Sequence, residues 1–247
     1  MEAAFPPKRP GGGTWSWWSF AGSCVPSRAR PSGGRNWPRW NGITSASAGW
    51  RPGDNLVEGR LERALRKAVA FLESHGYRYA LVGGMALSQW GVVRATYDVD
   101  IKVLVPDMDY SAIRAALRAA FPRRAREHLP RESLVIAVEI EGVPVDFLLA
   151  LPGYEELIIQ RAVRRDLGGW TVWICSAEDL IIQKVVAGRP RDWSDVEALL
   201  IEQQGRIDEA YIEGWLEQFA EALEKPELLT DYQHLRERIR SLETRDR

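Results

Sequence analysis

Three aspartates have the residue type and the spacing to bind a divalent cation. Asp98 and Asp100 lie two apart in the alternating run of residues 97–105, which is typical of a β-strand, so both carboxylates are expected on one face. Two carboxylates this close repel each other unless a cation neutralises them. Asp146 lies in a second β-like run, Val143–Leu149, where an acid needs a metal or a charged partner. If the two strands are neighbours, the three carboxylates converge on one metal site.

The chemistry that such a site supports is the transfer of a phosphorus group. Mg²⁺ or Mn²⁺ prefers oxygen ligands, and Mg²⁺ leaves coordination positions open to substrate phosphates. Two ions about 3.5–4 Å apart would activate an attacking hydroxyl and stabilise a leaving pyrophosphate. The three histidines, His75, His128 and His234, share no ligand spacing, so carboxylates would have to hold the metal.

Gly83 and Gly84 are candidates for the phosphate-binding turn. They follow the apolar run Tyr79–Val82, and this pattern predicts a buried strand that ends in a tight turn before a short helix at residues 85–90. A backbone without side chains can approach a phosphate closely and direct N–H groups at it. A Gly-Gly turn or an Asp-x-Asp pair alone is common without any chemistry, and the order of the whole set is the specific feature.

The elements that would position these residues form an α+β fold, with strands first and helices last. Apolar runs predict strands over residues 79–82, 97–105, 134–140, 143–149 and 170–174. Helical spacing predicts helices over residues 54–76, 85–90, 109–120, 154–163, 192–202 and 208–223, one opened by Ser176 with Asp179, and a last one from Asp231. We expect a small mixed β-sheet with flanking helices at residues 54–175, followed by a helical C-terminal region at residues 176–247.

Residues 1–53 have a different composition from the rest. Pro, Gly, Ser, Trp and Arg dominate, seven basic residues face a single acidic one, and no hydrophobic period is present. Such a chain buries too little apolar surface to offset its ordering entropy, so the favoured interpretation is a disordered or spurious N-terminal extension. A basic tail whose tryptophans stack on nucleic acid and an Arg-rich targeting peptide are the alternatives.

Composition excludes several other classes of protein. The chain has 247 residues, 45% hydrophobic and 27% charged, and no apolar run long enough to cross a membrane. Cys24 and Cys175 are far apart, which favours a reducing, cytoplasmic location over a disulfide framework. Beyond residue 53 acidic residues outnumber basic ones, so no broad basic surface for nucleic acid is predicted.

The order of the motifs resembles that of the DNA polymerase β-like nucleotidyltransferase superfamily. Residues 81–86 (LVGGMA) are similar to its strand that ends in Gly-Gly or Gly-Ser, and residues 94–101 (RATYDVDI) to its Asp-x-Asp strand. Residues 145–147 (VDF) resemble the segment with its third carboxylate. Residues 176–196 are similar to a helical segment of the minimal bacterial branch that includes the AbiEii-type toxin nucleotidyltransferases. The resemblance covers about residues 56–200.

The resemblance implies roles for residues outside the acidic set. Lys184 would contact the triphosphate of the nucleotide, and Asp195 would support the site from the helical region; an ordinary surface lysine is the alternative for Lys184. Arg94 and Thr96 precede the acids and could orient phosphate or nucleoside, although Arg94 could instead form a structural ion pair.

The Gly-Arg-Pro-Arg-Asp stretch at residues 188–192 has two interpretations. Arg189 and Arg191 could form a phosphate clamp or lie in a solvated loop. Asp192 is expected to cap the following helix.

The predicted reaction is the transfer of a nucleoside monophosphate from an NTP to an acceptor hydroxyl, with release of pyrophosphate. Asp98 and Asp100 would bind Mg²⁺ (or Mn²⁺), and Asp146 would complete the site and act as the base. An RNA end, a small molecule or a protein could be the acceptor. The alternative is a non-catalytic or partner-modifying component of a toxin–antitoxin system, but the presence of all three carboxylates argues against a degenerate site.

Overall fold

A six-stranded mixed sheet forms the centre of the computed structural model, which describes residues 56–122, 124 and 133–245. The strand order is β3-β4-β2-β1-β6-β5, with two parallel and three antiparallel neighbour pairs. The strands are β1 (Tyr79–Val82), β2 (Val99–Val103), β3 (Val135–Ile140), β4 (Val143–Leu149), β5 (Val163–Asp166) and β6 (Thr171–Ile174). The expected small mixed sheet is confirmed, and the N-terminal extension expected at residues 1–53 lies outside the described residues.

Eight α-helices accompany the sheet in the described part of the chain. They are α1 (Leu56–Ser74), α2 (Gly83–Gln89), α3 (Tyr110–Ala120), α4 (Tyr154–Gln160), α5 (Ala177–Ala187), α6 (Pro190–Glu202), α7 (Glu209–Ala222) and α8 (Glu227–Arg245). α1 contacts strands β2, β3 and β4, whereas α5, α6, α7 and α8 pack mainly against one another. The α+β order predicted from the sequence, with the longer run of helices last, is confirmed.

The helix α5 joins the C-terminal helices to the sheet. Nine of its eleven residues are buried, and it contacts α2 as well as α6, α7 and α8. Its start is fixed by the predicted cap, because the backbone N–H of Asp179 donates to Ser176 Oγ at 3.0 Å. Gly188, in the left-handed conformation at φ 64°, ends it.

The sequence missed one strand and misplaced four helix boundaries. The short helix predicted from residue 85 begins at Gly83, so the two glycines of the predicted turn are the first residues of α2. A helix was predicted over residues 154–163, but α4 ends at Gln160 and β5 begins at Val163. β5 pairs with β6 through a turn in which Asp166 Oδ1 accepts from the N–H groups of Gly168 and Gly169, at 2.8 and 3.0 Å. α6 begins at Pro190 rather than Asp192, since proline suits the first helical turn, and α8 begins at Glu227 rather than Asp231.

No helix among the described residues is long and apolar enough to cross a membrane.

Candidate active site

Asp100 and Asp146 occupy paired positions on two parallel neighbouring strands. Asp100 lies opposite Asp146 in the β2–β4 register and opposite Val82 in the β1–β2 register. Directly opposed residues project from the same face of a sheet, so the two carboxylates come together where β1 ends and Gly83 begins. Asp146 is buried and Asp100 is half-buried.

Asp98 lies just before the strand rather than within it. The predicted strand of residues 97–105 is shorter in the structure, where β2 begins at Val99. From Gly91 to Asp98 exposure alternates nonetheless: Val93, Ala95 and Tyr97 are exposed, whereas Arg94, Thr96 and Asp98 are half-buried. The even-numbered side chains therefore continue the row that Asp100 occupies. Thr96 Oγ1 donates to Asp98 Oδ1 at 3.1 Å, which fixes that carboxylate.

The glycine pair makes room for two side chains of this row. A Cβ atom on Gly83 would lie 2.2 Å from Asp100 Oδ2, and one on Gly84 would lie 2.4 Å from Thr96 Oγ1. Gly83 also has φ +66°, a conformation that glycine adopts without strain. The structure thus gives both residues a packing role beside the phosphate-binding role expected from the sequence.

Arg124 is a neighbour of Asp146 that the sequence did not single out. Its guanidinium forms an ion pair with Asp146 Oδ1 at 3.7 Å. The residue lies in an arginine-rich stretch between α3 and β3, and no spacing distinguishes it there from the other arginines. Only the path of the chain past β3, where the N–H of Arg124 donates to the carbonyl of Ala137, places it at the site.

Lys184 is inside the protein and not on its surface. Its ammonium donates to Asp195 Oδ2 at 2.7 Å and to Asp192 Oδ1 at 2.9 Å, and its side chain is only 10% exposed. Asp195 also forms an ion pair with Arg94, 3.0 Å from its Nε. The ion pair considered for Arg94 in the sequence is therefore present, and it links the segment before Asp98 to α6.

The helix α6 runs along residues 90–95, which lead to Thr96 and Asp98. At the end of α6, Gln203 donates to the carbonyl of Trp90 at 2.7 Å, and near its start Arg191 donates to the carbonyl of Ala95 at 3.2 Å. These contacts at both ends, with the Arg94–Asp195 pair between them, hold residues 90–95 against α6.

Asp192 does not cap α6, contrary to expectation. Arg189 occupies the cap position, and the Asp192 carboxylate accepts from Arg189 and Lys184 side chains instead of from the helix backbone. Burial alone would raise the pKa of Asp192, but these two cations outweigh it and lower the pKa below the ordinary aspartate value. The hydrogen bond to Asp192 and the charges of Asp192, Asp100 and Asp195 raise the pKa of Arg189 despite its partial burial.

The predicted site residues therefore come together in two groups. Gly83, Gly84, Thr96, Asp100 and Asp146 lie where β1 ends and β2 begins, and Asp98 joins them through its hydrogen bond with Thr96. Arg94 links this group to Lys184 and Asp195. Within the described residues no set of three or more His, Cys, Asp or Glu side chains is arranged to hold a metal ion. The donors at the paired position are carboxylate oxygens, the ligand type that hard cations prefer.

Comparisons with solved structures give distant likenesses. An antigenic nucleotidyltransferase-like protein from Paracoccidioides brasiliensis is 17% identical with a TM-score of 0.45, covering 72% of this chain and 94% of that one. The antibiotic-resistance factor ANT(2'')-Ia is 16% identical with a TM-score of 0.44, covering 76% and 95%. A putative nucleotidyltransferase from Thermotoga maritima is 17% identical with a TM-score of 0.41, covering 60% and 98%. At TM-scores this low the structures indicate neither an activity nor a substrate for this chain.

No curated protein matched the chain. A family model did, over residues 61–231, a span that includes both groups of site residues and exceeds half of the chain. The protein belongs to this family, described as nucleotidyl transferase of unknown function (DUF2204).

Proposed function

We propose that this nucleotidyltransferase moves a nucleoside monophosphate from an NTP to an acceptor hydroxyl, at a metal site formed by Asp98, Asp100 and Asp146. The observation that carries the proposal is the pairing of Asp100 with Asp146 on neighbouring parallel strands, directly beside Gly83 at the start of α2. Two buried or half-buried carboxylates at one point on a sheet need a cation, and Arg124 is a single charge 3.7 Å from one of them.

The donor set fits Mg²⁺ or Mn²⁺. Mg²⁺ is usually held by one or two carboxylates and completes its coordination with water and substrate phosphates, so the Asp100–Asp146 pair is a sufficient protein contribution. Asp98, fixed by Thr96, would add a further oxygen. A bound ion would neutralise phosphate charge and lower the pKa of the acceptor hydroxyl.

The chain's own residues would carry the transfer as follows. The acceptor oxygen bonds to the α-phosphorus, the bond from that phosphorus to the bridging oxygen breaks, and pyrophosphate leaves with the electron pair. Asp146 takes the proton of the acceptor hydroxyl. Arg94 and Asp195 hold the segment that bears Asp98, so they would orient the Asp98 carboxylate. Lys184 would keep Asp192 and Asp195 in position from inside the protein.

Turnover of radiolabelled NTPs tests the proposal. Each NTP is supplied with Mg²⁺ and with bulk RNA, aminoglycosides or lysate protein as acceptor, and the labelled fraction identifies the acceptor class. Asp100→Asn should lower transfer at least about 100-fold. Mutating a residue that only orients a metal ligand typically lowers activity by about 10- to 100-fold, and removing the ligand itself should lower it more. Asp231→Asn is the matched control, since Asp231 is exposed on α8 and should leave transfer unchanged.

Two outcomes contradict the proposal. Equal transfer by wild type and Asp100→Asn would show that the Asp100–Asp146 pair is not needed for the reaction. Binding of Mg²⁺-NTP without transfer to any acceptor would favour the alternative, a non-catalytic component of a toxin–antitoxin pair related to the AbiEii-type branch.

A further inference from the structure

Arg189 is a cation at the site with freedom to move. It precedes α6, its side chain is 70% exposed, and its guanidinium hydrogen bonds only to Asp192, at 2.5 and 3.2 Å, among the contacts described. Because the Arg189 side chain is largely in water, solvent can take over the hydrogen bonds of its guanidinium when it leaves the buried Asp192 carboxylate.

Asp192 keeps a partner when Arg189 moves away. The ammonium of Lys184 donates to Asp192 Oδ1 at 2.9 Å from the inner side, so the buried carboxylate stays neutralised. Lys184 has no such freedom. It holds two buried carboxylates at once, and moving its ammonium outward would break both charge-assisted bonds.

Arg189 caps the start of α6, and that end of the helix lies against the segment that leads to the acidic pair. Arg191 donates to the carbonyl of Ala95 at 3.2 Å, and Asp195 forms an ion pair with Arg94 at 3.0 Å. The carboxylate of Asp100 is among the charges that raise the pKa of the Arg189 guanidinium. An arginine beside a carboxylate metal site can bind a metal-bound polyphosphate, because its planar guanidinium makes two parallel hydrogen bonds to phosphate oxygens.

We propose that Arg189 binds the triphosphate of the nucleotide, exchanging Asp192 for phosphate oxygens, while Lys184 remains inside and holds Asp192 and Asp195 in place. This rests on the transferase function proposed above and replaces the triphosphate contact that the superfamily resemblance gives to Lys184. The exchange breaks no covalent bond, and Asp192 remains paired throughout.

Binding of inorganic triphosphate with Mg²⁺ tests the proposal without knowledge of the base. The full chain is titrated by calorimetry as wild type, Arg189→Gln, Arg189→Lys and Arg206→Gln. Arg206 is exposed just beyond the other end of α6, a helix of 13 residues or about 20 Å, so it matches the charge change away from the site. We expect about tenfold or greater loss of affinity for Arg189→Gln, a smaller loss for Arg189→Lys, and less than about twofold for Arg206→Gln.

The outcomes separate this inference from the proposed function. Wild-type affinity in Arg189→Gln, or an equal loss in Arg206→Gln, overturns the role of Arg189 alone. Wild type that binds NTPs with Mg²⁺ but not inorganic triphosphate also overturns it and leaves the transferase proposal standing. Wild type that binds neither overturns both. If Arg189→Gln unfolds at the same temperature as wild type, the variant is folded, and any loss of triphosphate affinity comes from the missing guanidinium.

Discussion

At the scale of single residues, the site depends on two glycines whose lack of a side chain leaves room for their neighbours. Asp100 Oδ2 occupies the space where a Cβ of Gly83 would be, and Thr96 Oγ1 does the same at Gly84. Asp100 can therefore lie against the first residue of α2, and any residue larger than glycine at position 83 would displace its carboxylate.

Gly83→Ala should lower transfer strongly while the protein still folds. A non-glycine residue at φ +66° costs about 1–2 kcal/mol, and its Cβ would in addition displace the Asp100 carboxylate. Gly142→Ala is the matched control, because Gly142 has φ +74° and nothing within 4 Å of the added Cβ. Both variants should lose the stability that the positive φ costs, measured in urea, and only Gly83→Ala should lose transfer. Equal activity in the two variants would show that the contact with Asp100 is unimportant.

At the scale of elements, the corner between α5 and α6 is an ion-pair junction. Lys184 near the end of α5 binds Asp192 and Asp195 in the first turns of α6, and Asp195 reaches across to Arg94. The junction links the helices to the segment before β2, so the geometry of the acidic pair depends on where α6 lies.

The junction should make the protein sensitive to acid. Because the pKa of Asp192 is below the ordinary value of 3.8, its ionised form stabilises the folded state above that pH, and the stabilisation is lost as pH falls below about 4. Asp192→Asn should reduce the slope of unfolding free energy against pH between 4 and 3 by at most about 1.4 kcal/mol per pH unit. Urea titrations at each pH measure this, with Asp231→Asn as the control. An unchanged slope in Asp192→Asn would contradict the role given to this carboxylate.

The sequence predicted local features of these elements well and their mutual contacts poorly. β1 and β4 have the expected bounds because each is an apolar run ending at a glycine or a turn. β5 was missed because its Val-Arg-Arg-Asp sequence is charged and gains strand structure only by pairing with β6. The junction could not be predicted either, since Lys184 meets Asp192 and Asp195 only after the chain turns at Gly188.

At the scale of the whole molecule, a buried carboxylate connects the sheet region to the C-terminal helices. Asp179 in α5 accepts from Tyr211 of α7 at 2.8 Å and pairs with Arg161, which follows α4, at 3.3 Å. Arg161 in turn lies over the Tyr211 ring, 3.8 Å from its centre. Burial raises the pKa of Asp179, and the hydrogen bonds from Tyr211 and Ser176 oppose that shift.

Tyr211→Phe should destabilise the entire protein and not only α7. Removing the phenolic donor leaves part of a fully buried carboxylate without its hydrogen bond, at a cost of about 1–3 kcal/mol. Urea unfolding followed by tryptophan fluorescence and by far-UV circular dichroism should shift together in one transition. Tyr97→Phe, at a tyrosine that is 71% exposed, is the control and should shift neither signal. Two separate transitions would show that the helices fold independently of the sheet.

The alternating segment before β2 has a consequence for how this protein can change over evolutionary time. Its inward side chains, Arg94, Thr96 and Asp98, make the ion pair with Asp195 and the hydrogen bond that fixes Asp98, whereas Val93, Ala95 and Tyr97 are exposed. Mutations at the three outward positions can therefore accumulate with little effect on folding or on the acids. A single short stretch of chain could then keep its inner contacts constant while its outer surface adapts to new molecules that approach it.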